Sequence, residues 1–297
     1  MTSNSKGAFV WIWLESQGEP VVAGRLEGHD GQLTFNYGQS YLARKHAVSI
    51  YEPELPLQAG KIPLLPRMEI PSCIRDASPD AWGRRVIINK LAGKKKEVIE
   101  QTELDELTYL LMSGSDRIGN LDFQESATDY VPRMPKAASL EALQQASELV
   151  DKGTPLTKEL DQALNHGTSI GGARPKATIE NNDETDQRKF IAKFSGSTDT
   201  YSVVKAEFIA MRLARLVNID VANVELTKAP NKDVLLIERF DREYRESKWV
   251  RMAMVSALTI FSMPEHEARY ASYETLTEHI RHQFTNPKAT SHELYPA

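Results

Sequence analysis

The run His166-Gly167-Thr168-Ser169-Ile170-Gly171-Gly172-Ala173-Arg174-Pro175-Lys176 decides how the rest of the chain is read. Glycines in a short loop let backbone N–H groups face anionic oxygens, and a strand follows from Lys176 to Glu180. No helix follows the loop, so it is not the phosphate loop of the G-x-x-x-x-G-K-[ST] type. Taken alone, the run reads equally as a turn between a helix and a strand. The next apolar stretch, Phe190-Ile191-Ala192-Lys193-Phe194, places a lysine inside a strand running from Arg188 to Ser195. A buried charge needs an anionic partner, because burying it alone is costly. Glu207 is available on the helix that follows. Tyr201 to Val217 carries Ala206, Ile209, Ala210, Leu213 and Val217 at helical spacing, and Glu207 borders that apolar face. The blander arrangement is a lysine that snorkels at a sheet edge and a glutamate that faces solvent. Val234 to Phe240 reads as a further strand, running into Asp241-Arg242. Glycine-rich loop, strand, strand with lysine, helix with glutamate, strand: this order matches the small lobe of a kinase-like fold, where such a lysine holds nucleotide phosphates.

Upstream, Phe9 to Leu14, Val21 to Leu26 and Gln32 to Tyr37 are short strand-like runs separated by turn residues such as His29-Asp30-Gly31. They predict a small antiparallel sheet. Five prolines between Pro53 and Pro71 break regular structure. Ser78-Pro79-Asp80 opens a helix expected over Asp80 to Leu91, and Leu104 to Met112 forms a second, ended by Gly114. Ile118 to Phe123 reads as a strand, and Ser139 to Lys152 and Thr157 to Asn165 as helices. Asn181 to Gln187 is a polar hairpin loop. The stretch from Val250 to Ala297 reads as helices with a loop near Asn286-Pro287.

Composition narrows the function. The chain has 297 residues, room for two domains, and a net charge of -5, which speaks against nonspecific binding to nucleic acid. Its early apolar run, Ala8 to Leu14, falls far short of the roughly 20 residues of a membrane span. A single cysteine, Cys73, excludes an internal disulfide and a cysteine metal cluster and reads as an inert small residue. The chain is expected in the cytoplasm. His166 reads as a helix-end residue. His266, His279, His282 and His292 form no metal set. Trp11, Trp13 and Trp82 read as core, and Arg239 and Arg242 as strand-end arginines, usually solvated, that could meet acidic partners.

Six segments in order resemble the HipA family of bacterial serine/threonine kinase toxins. They are Ser78-Pro79-Asp80-Ala81-Trp82-Gly83-Arg84, Asp116-Arg117-Ile118-Gly119, Ser169 to Lys176, Phe190 to Lys193, Ala206-Glu207 and Ile237 to Arg242. The resemblance implies an α+β, HipA-like fold. Residues 1–135 would form an N-terminal subdomain with a small antiparallel sheet, 136–245 a kinase-like nucleotide-binding lobe, and 246–297 the start of a helical, incomplete C-terminal lobe. It implies that Ser169 is an autophosphorylation site whose modification expels the loop. It implies that Gly171, Gly172, Ala173, Lys193 and Glu207 serve ATP phosphates, and that Glu238 and Phe240 face adenine. ATP and Mg2+ are the implied cofactors. A helix-turn-helix antitoxin repressor (HipB-like) is the implied partner, with DNA reached only through it, and an aminoacyl-tRNA synthetase is the implied substrate.

One departure from the family pattern stands out. Phosphoryl transfer uses an aspartate to position the nucleophile and further groups to hold magnesium. No aspartate follows Asp241, and only one asparagine, Asn286, does. No catalytic residue and no metal ligand is therefore assigned, and the chain is expected to stop before the family's catalytic aspartates. Two readings stay open: an ATP-dependent kinase toxin, or a non-catalytic remnant that binds a repressor or nucleotide. A DNA-binding regulator is a third, disfavoured by the acidic charge.

Overall fold

The structure is a computed structural model that describes residues 7–15, 17–92, 104–134, 138–164, 169–181, 187–196, 198–230 and 232–294. His166 and residues 182–186 of the expected hairpin loop lie outside the described residues. Alternating apolar side chains build the first sheet from β1 (Gly7–Ile12), β2 (Val21–His29), β3 (Gln32–Tyr37), β4 (Lys61–Ile62) and β5 (Leu121–Gln124), in the order β4-β3-β2-β1-β5. Asp30 and Gly31 both take positive φ, 48° and 79°, so a two-residue turn joins β2 to β3 and fixes His29 opposite Gln32. Val10, Ile12, Leu26, Phe35 and Phe123 form the buried side of this sheet, and Ile74 and Leu110 pack among them.

Helices α1 (Gln39–Leu42), α2 (Ser72–Arg75), α3 (Ala81–Ala92) and α4 (Glu106–Met112) come next. The Glu54 carboxylate accepts from the Ser72 and Cys73 amides at 2.6 and 2.9 Å and so starts α2. Burial pushes the Cys73 thiol well above its ordinary pKa, in keeping with an inert residue. α5 (Leu140–Asp151) is capped by Ser139 and followed by α6 (Lys158–Leu164).

The second sheet holds β6 (Lys176–Glu180), β7 (Lys189–Lys193), β8 (Val224–Ala229) and β9 (Lys232–Glu238) in the order β6-β7-β9-β8, all antiparallel. α7 (Val203–Leu216) connects β7 to β8. Ala177, Ala192 and Val234 pack with Leu143 of α5 on one face of this sheet. The apolar stripe of α7 points elsewhere: Ile209, Leu213, Leu216 and Val217 are all more than half exposed.

The last stretch differs from its reading. Val250 and Arg251 are not helical. They belong to β11 (Lys248–Arg251), paired with β10 (Arg242–Arg245) in a hairpin whose turn residues Glu246 and Ser247 both take positive φ. Aromatic and β-branched residues, Tyr244, Trp249 and Val250, favour strand here, and Tyr244 packs edge-on against Trp249. Helices resume with α8 (Ala257–Ile260), a 3-10 turn (Glu265–Tyr270), α9 (Tyr273–Gln283) and α10 (Pro287–Leu294). The loop expected near Asn286-Pro287 covers residues 284–286, and Pro287 opens α10. This segment returns to the first sheet's side of the molecule. Asp76 accepts from Ser256 N–H at 2.6 Å and Thr259 Oγ1 at 2.7 Å, and Arg67 pairs with Glu267 at 2.5 Å.

Arg239 and Arg242 are not solvated strand-end residues. Both are nearly fully buried, and they join the two sheets. Asp116 receives Arg239 at 3.0 Å, Arg242 at 3.1 Å and Lys189 at 3.6 Å. Asp241 receives both arginines at 2.9 Å and the Gly119 amide at 2.9 Å. Arg239 also donates to the Arg117 carbonyl at 2.8 Å. Burial alone would raise the Asp116 pKa, but the surrounding cations outweigh it and hold the carboxyl far below the usual range. Nearby, Arg117 and Arg133 overcome burial at Asp122 and bring it from 3.8 down to about 2.

Removing one member of such a cluster strands its partners as buried unpaired charges. Asp116→Ala is therefore expected to destabilise the chain by about 3–5 kcal/mol in urea unfolding. A loss below about 1 kcal/mol would show that water reaches the cluster. For Asp116, Asp122 and Asp241 the folded pKa lies below the unfolded one. Their contribution is complete above about pH 4 and is lost as pH falls from there toward about 2. Unfolding free energy measured over that window should drop steeply. A flat profile contradicts the network.

Candidate functional site

β6 and β7 pair with Lys176 directly opposite Lys193, and β9 continues the row with Leu235. Residues opposed across a ladder share a face, so the two lysines stand side by side. That face is the one opposite Ala192 and Leu143, and α7 reaches it: Lys193 Nζ donates to Glu207 Oε1 at 2.5 Å. The structure thus brings Lys193 and Glu207 together, and the snorkelling arrangement does not occur. Both side chains are about 70% buried, which screens the pair only in part from the surrounding water.

Lys176 is the residue that the sequence reading passed over. It is only 3% exposed, and its ammonium group makes no hydrogen bond or ion pair among the described residues. Burial and the neighbouring Lys193 push its pKa from 10.5 down to about 8, against the opposing pull of Asp80. In the run Lys-Ala-Thr-Ile-Glu the polar positions alternate with apolar ones, which reads as a solvent-facing row. Only the pairing with β7 reveals that this row carries Lys193. The one signal in the sequence was the repetition of lysine at the ends of two successive strands.

The glycine loop lies over these lysines. Gly172 takes φ +100°, in the left-handed region, and a Cβ there would meet Lys176 Nζ at 2.8 Å. Conformation and space both require glycine. Gly172 N–H donates to Asp80 Oδ2 at 2.5 Å, and a Cβ on Gly171 would lie 3.0 Å from the same oxygen. Trp82 N–H donates to the Gly172 carbonyl at 3.2 Å, and Trp82 Nε1 to the Lys176 carbonyl at 2.9 Å. Arg85 donates to the Ala173 carbonyl and to Asp151 at 3.1 Å. On the far side Arg174 grips both oxygens of Asp199 at 2.7 and 2.8 Å. The start of α3 therefore clamps the loop, and Asp80, Trp82 and Arg85 join the site. Trp82 is core, as read, with its ring N–H assigned to the loop.

Gly171, Gly172 and Ala173 are exposed at the rim, whereas Ser169 is buried, 4% exposed, beside buried Ile170. The end of β9 divides the two adenine positions. Glu238 falls on the alternate face from Lys193, where its carboxylate accepts from Asn223 at 2.9 Å and lies 3.6 Å from Arg188. The Phe240 ring is 68% exposed. Loop, lysines and Glu207 thus gather at one place, and the Glu238 side chain does not join them. Two buried or half-buried ammonium groups beneath exposed loop amides can receive a multiply charged anion, and the donor set fits the phosphates of ATP. Asp80 and Glu207 are the nearby carboxylates, and both are engaged, by Gly172 and Lys193. Among the described residues no group of three His, Cys, Asp or Glu is placed to hold a metal ion.

Comparison with known proteins follows the two sheets. The family model described as the HipA N-terminal domain matches residues 12–124, and the one described as the HipA-like C-terminal domain matches residues 168–297. Among solved structures, a chain of the Shewanella oneidensis MR-1 toxin–antitoxin complex of HipA, HipB and its operator DNA is similar, with a TM-score of 0.53 and 14% identity. The match covers 91% of this chain and 60% of that one. Comparison with curated protein sequences gives no match. At that identity the structural likeness concerns the fold, and it agrees with the α+β, HipA-like architecture of two antiparallel sheets. The two family models, in order and together spanning most of the chain, show that this protein belongs to the HipA family.

Proposed function

We propose that this chain binds ATP as the nucleotide-holding part of a HipA-like serine/threonine kinase, the toxin of a toxin–antitoxin pair. The observation that carries this reading is the row of Lys176 and Lys193 on one sheet face, with Glu207 fixing Lys193 and the Gly171–Ala173 loop above. Lys193, oriented by Glu207, would meet the phosphates, and Lys176 would take a charge from below. The backbone at the end of β9 and the exposed Phe240 ring would meet adenine. When bound, ATP would supply the transferable phosphoryl group, and Mg2+ would arrive with it. Ser169 is the proposed acceptor. Residues 242–297 hold no aspartate, so the base and the metal-binding aspartates for transfer are not supplied by them. A second reading stays beside it: a chain that binds a repressor antitoxin, a nucleotide or both without catalysis.

The remaining expectations belong to the same proposal. They are a HipB-like repressor as partner, DNA engaged only through it, an aminoacyl-tRNA synthetase as substrate, and a cytoplasmic setting. The similarity to a chain of a complex of HipA, HipB and operator DNA supports the partner. Among the described residues no helix is long and apolar enough to cross a membrane. The division into 1–135, 136–245 and 246–297 is likewise proposed, with hairpin β10–β11 bridging the second boundary.

Calorimetric titration with ATP tests the binding reading. Wild type should bind, and Lys193→Ala should lose at least about tenfold, as expected for a charge-assisted contact. Equal affinity in both proteins removes the basis of the proposal. Intact mass after incubation with Mg2+ and ATP, with Ser169→Ala alongside, separates the two readings. One added phosphoryl group in wild type alone marks a kinase. No addition to a chain that binds ATP marks the non-catalytic form.

Lys176 gives a second check, in which stability and binding move in opposite directions. Its folded pKa is depressed, so below about pH 8 its burial as a cation weakens the fold. Lys176→Met should gain about 1–3 kcal/mol in unfolding at neutral pH and bind ATP more weakly. Wild-type affinity should also decline as pH rises through about 8. A variant that binds as tightly as wild type would place Lys176 outside the site.

A further inference from the structure

α3 begins at Ala81, and the Asp80 carbonyl accepts Arg84 N–H at 2.9 Å, so Asp80 is the N-cap residue. An aspartate there ordinarily turns its carboxylate to the first amides of its own helix. This carboxylate instead takes the amide of Gly172, 92 residues away in sequence. The bond is at the surface, against a loop that only glycine can form. Beneath it lies a lysine that is almost wholly buried and has no ion pair among the described residues.

Among the described residues, pairing around the loop leaves the Lys176 ammonium over. Glu207 answers Lys193, Asp151 answers Arg85 and Asp199 answers Arg174. Lys176 has no such partner, and among the acidic groups that act on it Asp80 is foremost. We propose that Asp80 is the resident anion of this cradle, holding on the Gly172 amide, above Lys176, the position of a phosphate, and that it yields this position to an incoming polyphosphate. The inference rests on the phosphate role proposed for the loop. Its chemistry is an exchange of one carboxylate for several phosphate charges on the same donors. Exposure matters here: a carboxylate at the surface is screened by water and held weakly, as an exchangeable occupant must be. A polyphosphate brings more charge to the same donors and reaches Lys193 as well.

The test compares wild type with Asp80→Asn and Asp80→Ala. Affinities for inorganic tripolyphosphate and for ATP would be measured by calorimetry, and amide exchange would be followed over residues 169–174. With its competitor removed, the cradle should bind both probes about three- to tenfold more tightly. Amides of the ligand-free loop should exchange faster in both variants. If Asp80→Ala melts early, Asp80→Asn, which keeps the side chain's size and an acceptor oxygen, carries the comparison. Unchanged or weaker binding by a folded Asp80→Asn, beside a wild type that binds, overturns the place-holder role and leaves the phosphate reading standing. Binding by none of the three proteins overturns both.

Discussion

The buried cluster of Asp116, Arg239, Asp241 and Arg242 fixes how the two halves of the molecule meet. Each half contributes charges that it could not bury by itself. Asp116 and the carbonyls of Arg117 and Gly119 come from the segment leading into β5, and the two arginines and Asp241 from the segment leaving β9. Desolvating so many charges is costly, and the cost is offset only while every member keeps its partners. Such a junction tolerates little sliding. It sets β9, and through the ladder β7 and β6, at a fixed distance from the first helices of the chain. That distance is what allows Asp80, Trp82 and Arg85 to close on the glycine loop. The N-terminal half is thus a working wall of the cradle as well as a neighbour to it.

Short-range rules made much of the fold legible. The Asp30-Gly31 turn has the φ angles its residues favour, Ser139 caps α5, and β6 begins and ends where the alternation places it. Lys193 and Glu207 were legible as a pair because a buried lysine requires an anion and the next helix offered one. What escaped was long-range. Arg239 and Arg242 find partners more than 120 residues away, and nothing local distinguishes them from solvated strand ends. The hairpin β10–β11 was hidden because its turn, Glu246-Ser247, contains neither glycine nor asparagine, the residues that announce such a turn. Lys176 and Asp80 became visible only with the register of β6 and the docking of α3.

α7 illustrates a different limit. Helical spacing of Ala206, Ile209, Ala210 and Leu213 correctly marks an apolar face, but periodicity says nothing of what lies against it. Here Glu207 turns inward to Lys193, while Ile209, Leu213 and Leu216 remain in the open. The sheet face that a longer helix stripe would be expected to cover is instead partly given over to the two lysines. An exposed apolar row of this kind is unusual, and it lies on the same helix that orients Lys193.

The position of Ser169 sets a physical condition on any chemistry at the loop. A hydroxyl that is 4% exposed beneath Ile170 cannot meet a phosphoryl donor until the loop lifts. The loop is held down at the surface by Gly172 to Asp80 and Ala173 to Arg85, at a half-buried position by Arg174 to Asp199, and by Gly172 to the buried Trp82. A neutral hydrogen bond contributes about 0.5–1.5 kcal/mol and one to a charged group about 1.5–3 kcal/mol, so lifting the loop means giving up several kcal/mol of contacts. A phosphoserine would carry close to two negative charges into a buried position. The same glycines that let backbone amides face an anion also leave the loop held there by backbone groups alone, and both properties follow from the absence of side chains at Gly171 and Gly172.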